Sequence, residues 1–169
     1  MSIAKGAVLA LLSRAYLTRD RVALIGFGGE TATIVLPPTR SVSRARDRLR
    51  TLATSGATPL ADALSKARQL ICSERRRNPA LLAQLLLLSD GEANVPMRMG
   101  ETVEVELARV ARQIRQSAIP CELFDTNPSG KSSEPLRSLA ALLGARWHDA
   151  QTLGLQVVLD CVASSDANR

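Results

Sequence analysis

Two residues in this sequence have the type and setting for metal chemistry. Asp90 follows the unbroken apolar run Leu85-Leu86-Leu87-Leu88 and is itself followed by Gly91, while Thr58 lies in Gly56-Ala57-Thr58-Pro59-Leu60. A hydroxyl and a carboxylate are hard oxygen donors of the kind that hold Mg²⁺ in an octahedral shell retaining several waters. Each residue also has a plain structural use. Threonine ahead of proline suits a helix N-cap with proline in the first turn, and Asp-Gly suits a turn.

Other motifs point less far. Gly26-Phe27-Gly28-Gly29 is glycine-rich like a phosphate loop, but a strand rather than a helix is expected after it, so it reads as a hairpin turn. Gly130-Lys131-Ser132 ends like a nucleotide-binding loop, yet Asp125 stands where that loop needs its first glycine. Ser89 lies in no nucleophile elbow, and His148, the single histidine, would have to supply all the imidazole chemistry. Beside Trp147 it reads as structural. No catalytic residue is assigned.

Positioning Thr58 and Asp90 requires a sheet. A four-leucine run without polar alternation fits a strand buried on both faces, and ligands collect beyond the carboxyl ends of such strands. The expected order is a helix at 3–17, strands at 21–27 and 31–36 closed by the turn 28–30 and stopped by Pro37-Pro38, and a basic helix at 41–52. A loop at 54–57 leads to a helix from Thr58-Pro59 to about 75, then the buried strand at 82–89. Next come a helix at 101–117, a strand at 119–124, a polar loop at 127–133, a helix at 135–143, a strand at 145–148 and a last helix at 152–162. Strands alternating with helices after one hairpin specify an open α/β sheet with helices on both faces. Such a domain normally begins with a central strand, whereas this sequence begins with a helix.

Composition bounds the function. At 169 residues and 46% hydrophobic, the chain suits a single globular domain with a real core. Aromatics at 2% leave little material for base stacking. The net charge of +6 and a pI near 10.0 permit acidic partners. Arg44, Arg46, Arg48 and Arg50 in one segment and Arg75-Arg76-Arg77 in another read as a solvated helix face and a basic helix end. Cys72, Cys121 and Cys161 are scattered and read as buried free thiols of a reducing compartment. No signal peptide or membrane-length apolar run is present, so a cytoplasmic location is expected.

The Thr58 and Asp90 segments, in this order, resemble the second and third loops of the metal-ion-dependent adhesion site of von Willebrand factor A domains. Ala4-Lys5-Gly6-Ala7-Val8-Leu9, Asp20-Arg21-Val22-Ala23-Leu24-Ile25, Leu36-Pro37-Pro38-Thr39-Arg40-Ser41-Val42, Gly56-Ala57-Thr58-Pro59-Leu60 and Leu88-Ser89-Asp90-Gly91-Glu92-Ala93-Asn94 are similar to the C-terminal domain of magnesium chelatase D subunits. Phe124-Asp125-Thr126 and Leu142-Leu143-Gly144-Ala145-Arg146 fit as well, so the resemblance covers nearly the whole chain.

The resemblance implies a six-stranded, mostly parallel von Willebrand factor A-type sheet with one antiparallel edge hairpin. It makes Thr58 and Asp90 the metal ligands of two loops. The family's first loop, D-x-S-x-S, and the central strand before it have no counterpart in this sequence, so weak or absent Mg²⁺ binding is expected. Two buried strand edges, at 21–27 and 82–89, are expected to lack a neighbour, which favours association or completion by another polypeptide. The implied role is that of a non-catalytic docking domain in ATP-driven Mg²⁺ insertion into protoporphyrin IX, for chlorophyll or bacteriochlorophyll synthesis. Its implied partners are an AAA-type ATPase subunit and a porphyrin-binding subunit. Two alternatives stand beside it: a stand-alone adhesion-type binding module, and a basic nucleic-acid-binding domain, which the lack of a recognised motif disfavours.

Overall fold

An 18-residue helix, Leu60–Arg77, is the strut on which the other elements are hung. The computed structural model describes residues 2–51, 56–97, 100–127 and 133–148. Along the chain they form α1 (Ser2–Leu17), β1 (Val22–Phe27), β2 (Ala32–Thr39), α2 (Val42–Thr51), α3 (Leu60–Arg77), β3 (Leu85–Ser89), α4 (Val103–Gln116), β4 (Cys121–Asp125), α5 (Glu134–Leu143) and β5 (Arg146–His148). The helix expected at 152–162 and the candidate loop Gly130-Lys131-Ser132 lie outside the described residues.

The strands form two sheets. β1 and β2 pair antiparallel, and β3, β4 and β5 form a parallel sheet in the order β3-β4-β5. Among the described residues no strand lies between β1 and β3, so each is bonded on one side only. Burial follows from the pairing. All five residues of β4, flanked on both sides, are buried, whereas β1 and most of β3 are only half-buried.

Period-two alternation sorts the parallel sheet. Leu87, Cys121 and Leu123 face α3, α4 and α5, joining Leu60, Leu64, Val110, Ile114, Leu136, Leu139 and Leu143 in one apolar cluster. On the other face, Glu122 pairs in register with Leu86 and Arg146, and Phe124 with Leu88 and His148. Glu122 is buried there but satisfied: it accepts from Gln84 Nε2 at 3.0 Å and His148 Nε2 at 2.8 Å, with Arg146 Nη2 at 3.5 Å. His148 stacks on Phe124 with ring centroids 4.6 Å apart. The lone histidine is thus a structural partner of Glu122, as its sequence context indicated.

A second apolar cluster joins Leu12 of α1, Leu36 of β2 and Ala45 of α2, with Val8, Val22, Leu24 and Val42 against it. Leu24 therefore faces α1 and α2, while Phe27, of opposite parity, packs on the larger cluster. Helices cover both faces of the hairpin, as an open α/β arrangement requires.

Polar bonds from α3 hold the hairpin in place. Asp62 Oδ2 accepts from the Ala32 amide at 2.8 Å and from Lys66 Nζ at 2.7 Å, and Lys66 Nζ donates to the Ala32 carbonyl at 2.6 Å. One ion pair one helical turn long thus satisfies both backbone groups of the first residue of β2. At the other end, Arg21 Nη1 reaches Glu74 Oε2 at 2.7 Å. Farther along the same helix, Arg75 donates to the carbonyls of Ser117 (2.7 Å) and Ala118 (3.2 Å), closing the C-terminus of α4. Arg75-Arg76-Arg77 is thus the basic helix end that the sequence indicated, and Arg75 also closes the neighbouring helix.

Three local expectations need correction. Pro37 and Pro38 do not stop the hairpin: β2 continues to Thr39, because it pairs only with β1 and an edge strand tolerates residues without an amide hydrogen. Thr58 does not cap α3. The cap position is Pro59, without a side-chain hydrogen bond, and the Thr58 carbonyl accepts from the Leu60 amide at 2.9 Å. The buried strand starts at Leu85 rather than near 82, since Leu82 is exposed.

Two outcomes follow from this construction. In Asp62→Ala the loss of the Ala32 acceptor costs about 1–3 kcal/mol, and hydrogen exchange quickens in β1 and β2 while β3 to β5 stay protected; equal acceleration in both sheets would show that α3 does not hold the hairpin separately. Burial pushes the Cys121 thiol up to about 11. Native-state alkylation mapped by mass spectrometry at pH 8 therefore modifies half-buried Cys72 well before Cys121.

Candidate metal site

Asp90 lies where β3 ends, at the carboxyl edge of the parallel sheet. It is exposed, and its Oδ1 accepts from the Glu92 amide at 3.2 Å, so the carboxylate also shapes the turn. Ser89, buried at the last position of β3, accepts from the Gly91 amide at 3.1 Å. Gly91 takes φ +88°, and a β-carbon there would stand 1.9 Å from Ser133 Oγ. The Asp-Gly pair is thus fixed by left-handed backbone and by the close approach of Ser133, the residue that precedes α5.

Asn94 closes the same turn onto the Thr58 loop. Its Oδ1 accepts from the Thr58 amide at 2.7 Å, its Nδ2 donates to the Gly56 carbonyl at 2.9 Å, and its own amide donates to the Thr58 carbonyl at 3.3 Å. The hairpin turn arrives at the same place, where the Gly29 amide donates to the Ala57 carbonyl at 3.1 Å. So the structure brings the two predicted ligand segments together, through backbone and Asn94. Among the described residues no hydrogen bond joins the Thr58 and Asp90 side chains themselves.

A third segment is tied in from β4. Asp125, wholly buried at the strand end, accepts from the Asn127 amide at 2.9 Å and the Ser133 amide at 2.7 Å. The Thr126 amide donates to the Ser89 carbonyl at 2.9 Å. Ser133 then caps α5 by accepting from the Leu136 amide. The far end of the Asp90 loop is held by Glu106 of α4, buried, whose Oε2 accepts from the Met97 amide at 2.6 Å.

As a cation site the arrangement is sparse. Among the described residues no group of three or more His, Cys, Asp or Glu is assembled to hold a metal. The two donors that the sequence nominates lie on Thr58, a half-buried residue, and Asp90, an exposed one. Such a pair fits the water-rich shell of Mg²⁺ and not the closed cage of a structural zinc. Sequence reasoning singled out Thr58 and Asp90 but passed over Asn94, Asp125, Ser133 and Glu106, which build the frame. The available signal was a carboxylate ending a second apolar strand, Cys121–Asp125, just as Asp90 ends the first.

Comparison with known proteins identifies the family. The family model for the von Willebrand factor type A domain matches residues 1–92. A protein of Methanocaldococcus jannaschii with no assigned function is 31% identical over 169 residues, covering 99% of this chain and 96% of that protein. The magnesium-chelatase 67 kDa subunit of Chlorobaculum parvum is 34% identical over 157 residues, covering 87% of this chain but only 25% of the subunit. This chain therefore spans about a quarter of the chelatase subunit's length. In fold, the crystal structure of the conserved hypothetical protein BatB from Bacteroides thetaiotaomicron superposes with a TM-score of 0.72 at 14% identity, over 97% of this chain and 87% of that one. The chain belongs to the von Willebrand factor type A domain family, as a domain of the magnesium chelatase D type.

Proposed function

We propose that this domain is a non-catalytic docking module of a magnesium-chelatase-type complex, serving ATP-driven insertion of Mg²⁺ into protoporphyrin IX. The observation that carries the reading is the Asn94 bridge, which fixes the Thr58 loop beside the Asp90 turn at the carboxyl edge of the sheet. Likeness to chelatase subunits over most of the chain supplies the biochemical setting. In this reading Thr58 and Asp90 contribute two oxygens toward a resident Mg²⁺. When bound, that ion would offer an open coordination position to a carboxylate of the partner, the AAA-type ATPase subunit or the porphyrin-binding subunit. With two protein oxygens the intrinsic affinity is weak, about the millimolar range of sparsely ligated divalent-ion modules.

The domain's own residues supply positioning. Gly91 and Ser133 set the turn, Asn94 sets its distance from Thr58, and Glu106 anchors the loop that follows. No helix among the described residues is long and apolar enough to cross a membrane.

A second reading has one specific observation in its favour. The Methanocaldococcus jannaschii relative is matched over 96% of its length, so a domain of this kind also occurs as nearly an entire protein. That pattern fits a stand-alone adhesion-type module unconnected with pigment synthesis.

A domain swap separates the two. Exchanging the corresponding region of the Chlorobaculum parvum 67 kDa subunit for this chain, while keeping the host's preceding strand and loop, retains ATP-dependent formation of Mg-protoporphyrin measured by fluorescence. Asp90→Ala in the swapped domain lowers that rate by about tenfold or more, and an unchanged rate would remove Asp90 from the site. A swap that folds yet gives no product favours the stand-alone module. In the isolated chain, Asn94→Ala frees the Thr58 amide to exchange and costs about 1 kcal/mol of stability. Calorimetric Mg²⁺ titration of that variant shows weaker binding, although neither proposed ligand has been touched.

A further inference from the structure

Charge in this molecule is sorted along the axis of its strands. The amino edge of the sheets gathers arginines whose contacts join one element to the next. Arg21, just ahead of β1, donates from Nη1 to Glu74 Oε2 at 2.7 Å and from Nη2 to the Pro38 carbonyl at 3.3 Å. Arg77 donates to the other oxygen of Glu74 at 3.0 Å, so one carboxylate holds two guanidinium groups. Arg40 donates from Nε to the Arg19 carbonyl at 3.1 Å, which places both at the base of the hairpin. Arg75 reaches from the end of α3 to the end of α4. Arg115 lies at the end of α5, where a β-carbon on Gly144 would stand 3.8 Å from its Nε. With Arg76, this edge carries seven arginines against Asp20 and Glu74.

The carboxyl edge is the reverse. Glu30 follows Gly29, whose amide meets the Ala57 carbonyl, and Asp90 and Glu92 lie in the turn that Asn94 fastens to Thr58. Glu134 follows Ser133, which abuts Gly91. Glu104 stands in the first turn of α4, whose Glu106 takes the Met97 amide. All five of these carboxylates, Glu30, Asp90, Glu92, Glu104 and Glu134, belong to exposed residues. The described residues of the loops at this edge, 28–31, 56–59, 90–97, 100–102, 126–127 and 133, contain no Lys or Arg. Arg98 and Lys131, outside the described residues, are fewer than the carboxylates.

Helix dipoles favour acidic residues at helix starts and basic ones at helix ends, which accounts for Glu104, Glu134, Arg75 to Arg77 and Arg115. They do not account for Glu30, Asp90 and Glu92, which lie in loops, or for Arg21, which opens a strand. Arg40 stands two residues before the amino end of α2, where a cation is disfavoured. Arg19, Arg76 and Arg115 are exposed, and among the described residues their side chains have no hydrogen-bond or ion-pair partner. Glu74 shows what this pole accepts: a carboxylate, gripped by two guanidinium groups in charge-assisted hydrogen bonds.

We propose that copies of this chain associate head to tail, the arginine pole of one copy seated on the acidic carboxyl edge of the next. The two surfaces are complementary in charge but lie at opposite ends of one molecule. The contact is therefore heterologous, and it builds a ring or an open row rather than a closed two-fold pair. A net charge of +6 opposes approach in every other orientation, so the contact is weak and directional. A nucleic acid would meet a pole interrupted by Asp20 and Glu74, whereas a neighbouring copy supplies carboxylates of the kind already held there. The association needs no metal. Because the next copy covers the Thr58–Asp90 edge, self-association and the docking proposed above exclude each other.

The test is sedimentation velocity of the full chain in EDTA over about a twentyfold range of concentration, at low salt and at about 0.5 M, where exposed charges are largely screened. The weight-average sedimentation coefficient rises with concentration at low salt, continuing past the value for a dimer, and stays at that of the monomer at high salt. Arg76→Glu with Arg115→Glu, or Glu92→Lys with Glu134→Lys, weakens association by about tenfold or more. An equimolar mixture of the two variants recovers it, because one still offers the acidic edge and the other the arginine pole. Should circular dichroism show that a reversal disturbs folding, glutamine at the same positions serves in its place, with a smaller loss in the same direction. A monomer at every concentration, a closed dimer, association that persists at high salt or in both variants, or a mixture no stronger than either variant would overturn the proposal. So would duplex DNA bound through Arg76 and Arg115 at concentrations where the copies stay separate.

Discussion

The clasp of Asp62 and Lys66 on Ala32 is the contact on which the arrangement of this domain depends. Among the described residues the two sheets share no strand neighbour, and helix α3 holds the hairpin in place. Its apolar side supplies Leu60 and Leu64 to the larger core, while its polar side takes both backbone groups of the first residue of β2. A surface ion pair alone contributes little, about 0–1 kcal/mol. This pair does more because each member also satisfies a half-buried backbone group that would otherwise be left without a partner. With the hairpin so held, its Gly29 turn reaches Ala57, and the Thr58 loop is bracketed between the hairpin and the Asp90 turn.

Much of the architecture was legible because its signals are local. The four-leucine run, the glycines at 28–29, and the alternation of strand and helix identify the elements in their observed order. What escaped reading depends on neighbours. Pro37 and Pro38 look like a stop signal until it is known that β2 has an open side. Thr58-Pro59 looks like a cap until the helix proves to start at Leu60, which leaves Pro59 at the cap position and Thr58 tied through its amide to Asn94, 36 residues away. The arginine run at 75–77 reads as a basic helix end, but that Arg75 also closes the end of α4 depends on a neighbour 42 residues away.

The candidate site shows the same division. Asp90 stands out because a carboxylate ending an apolar strand is conspicuous. Whether it shapes a turn or serves a ligand is not a choice the structure forces, since its Oδ1 already accepts from Glu92 while the side chain remains exposed. The frame residues are quieter in sequence. Glu106 reads as an ordinary helix carboxylate, and only its complete burial beneath the Met97 amide reveals that it holds a loop. Glu122 is similar: its charge in the middle of a buried strand is tolerated because Gln84, Arg146 and His148 converge on it.

Asp125 has one consequence of a different kind. A single carboxylate receives amides from both Asn127 and Ser133, so the two ends of the intervening stretch meet on one side chain. The base of that stretch is closed independently of whatever lies along it. Lengthening a loop whose ends are already fixed adds only a slowly growing entropic term. A change in the number of residues between Asn127 and Ser133 therefore leaves both amides their acceptor in Asp125, and so leaves in place the Ser133 contact with Gly91 and the start of α5.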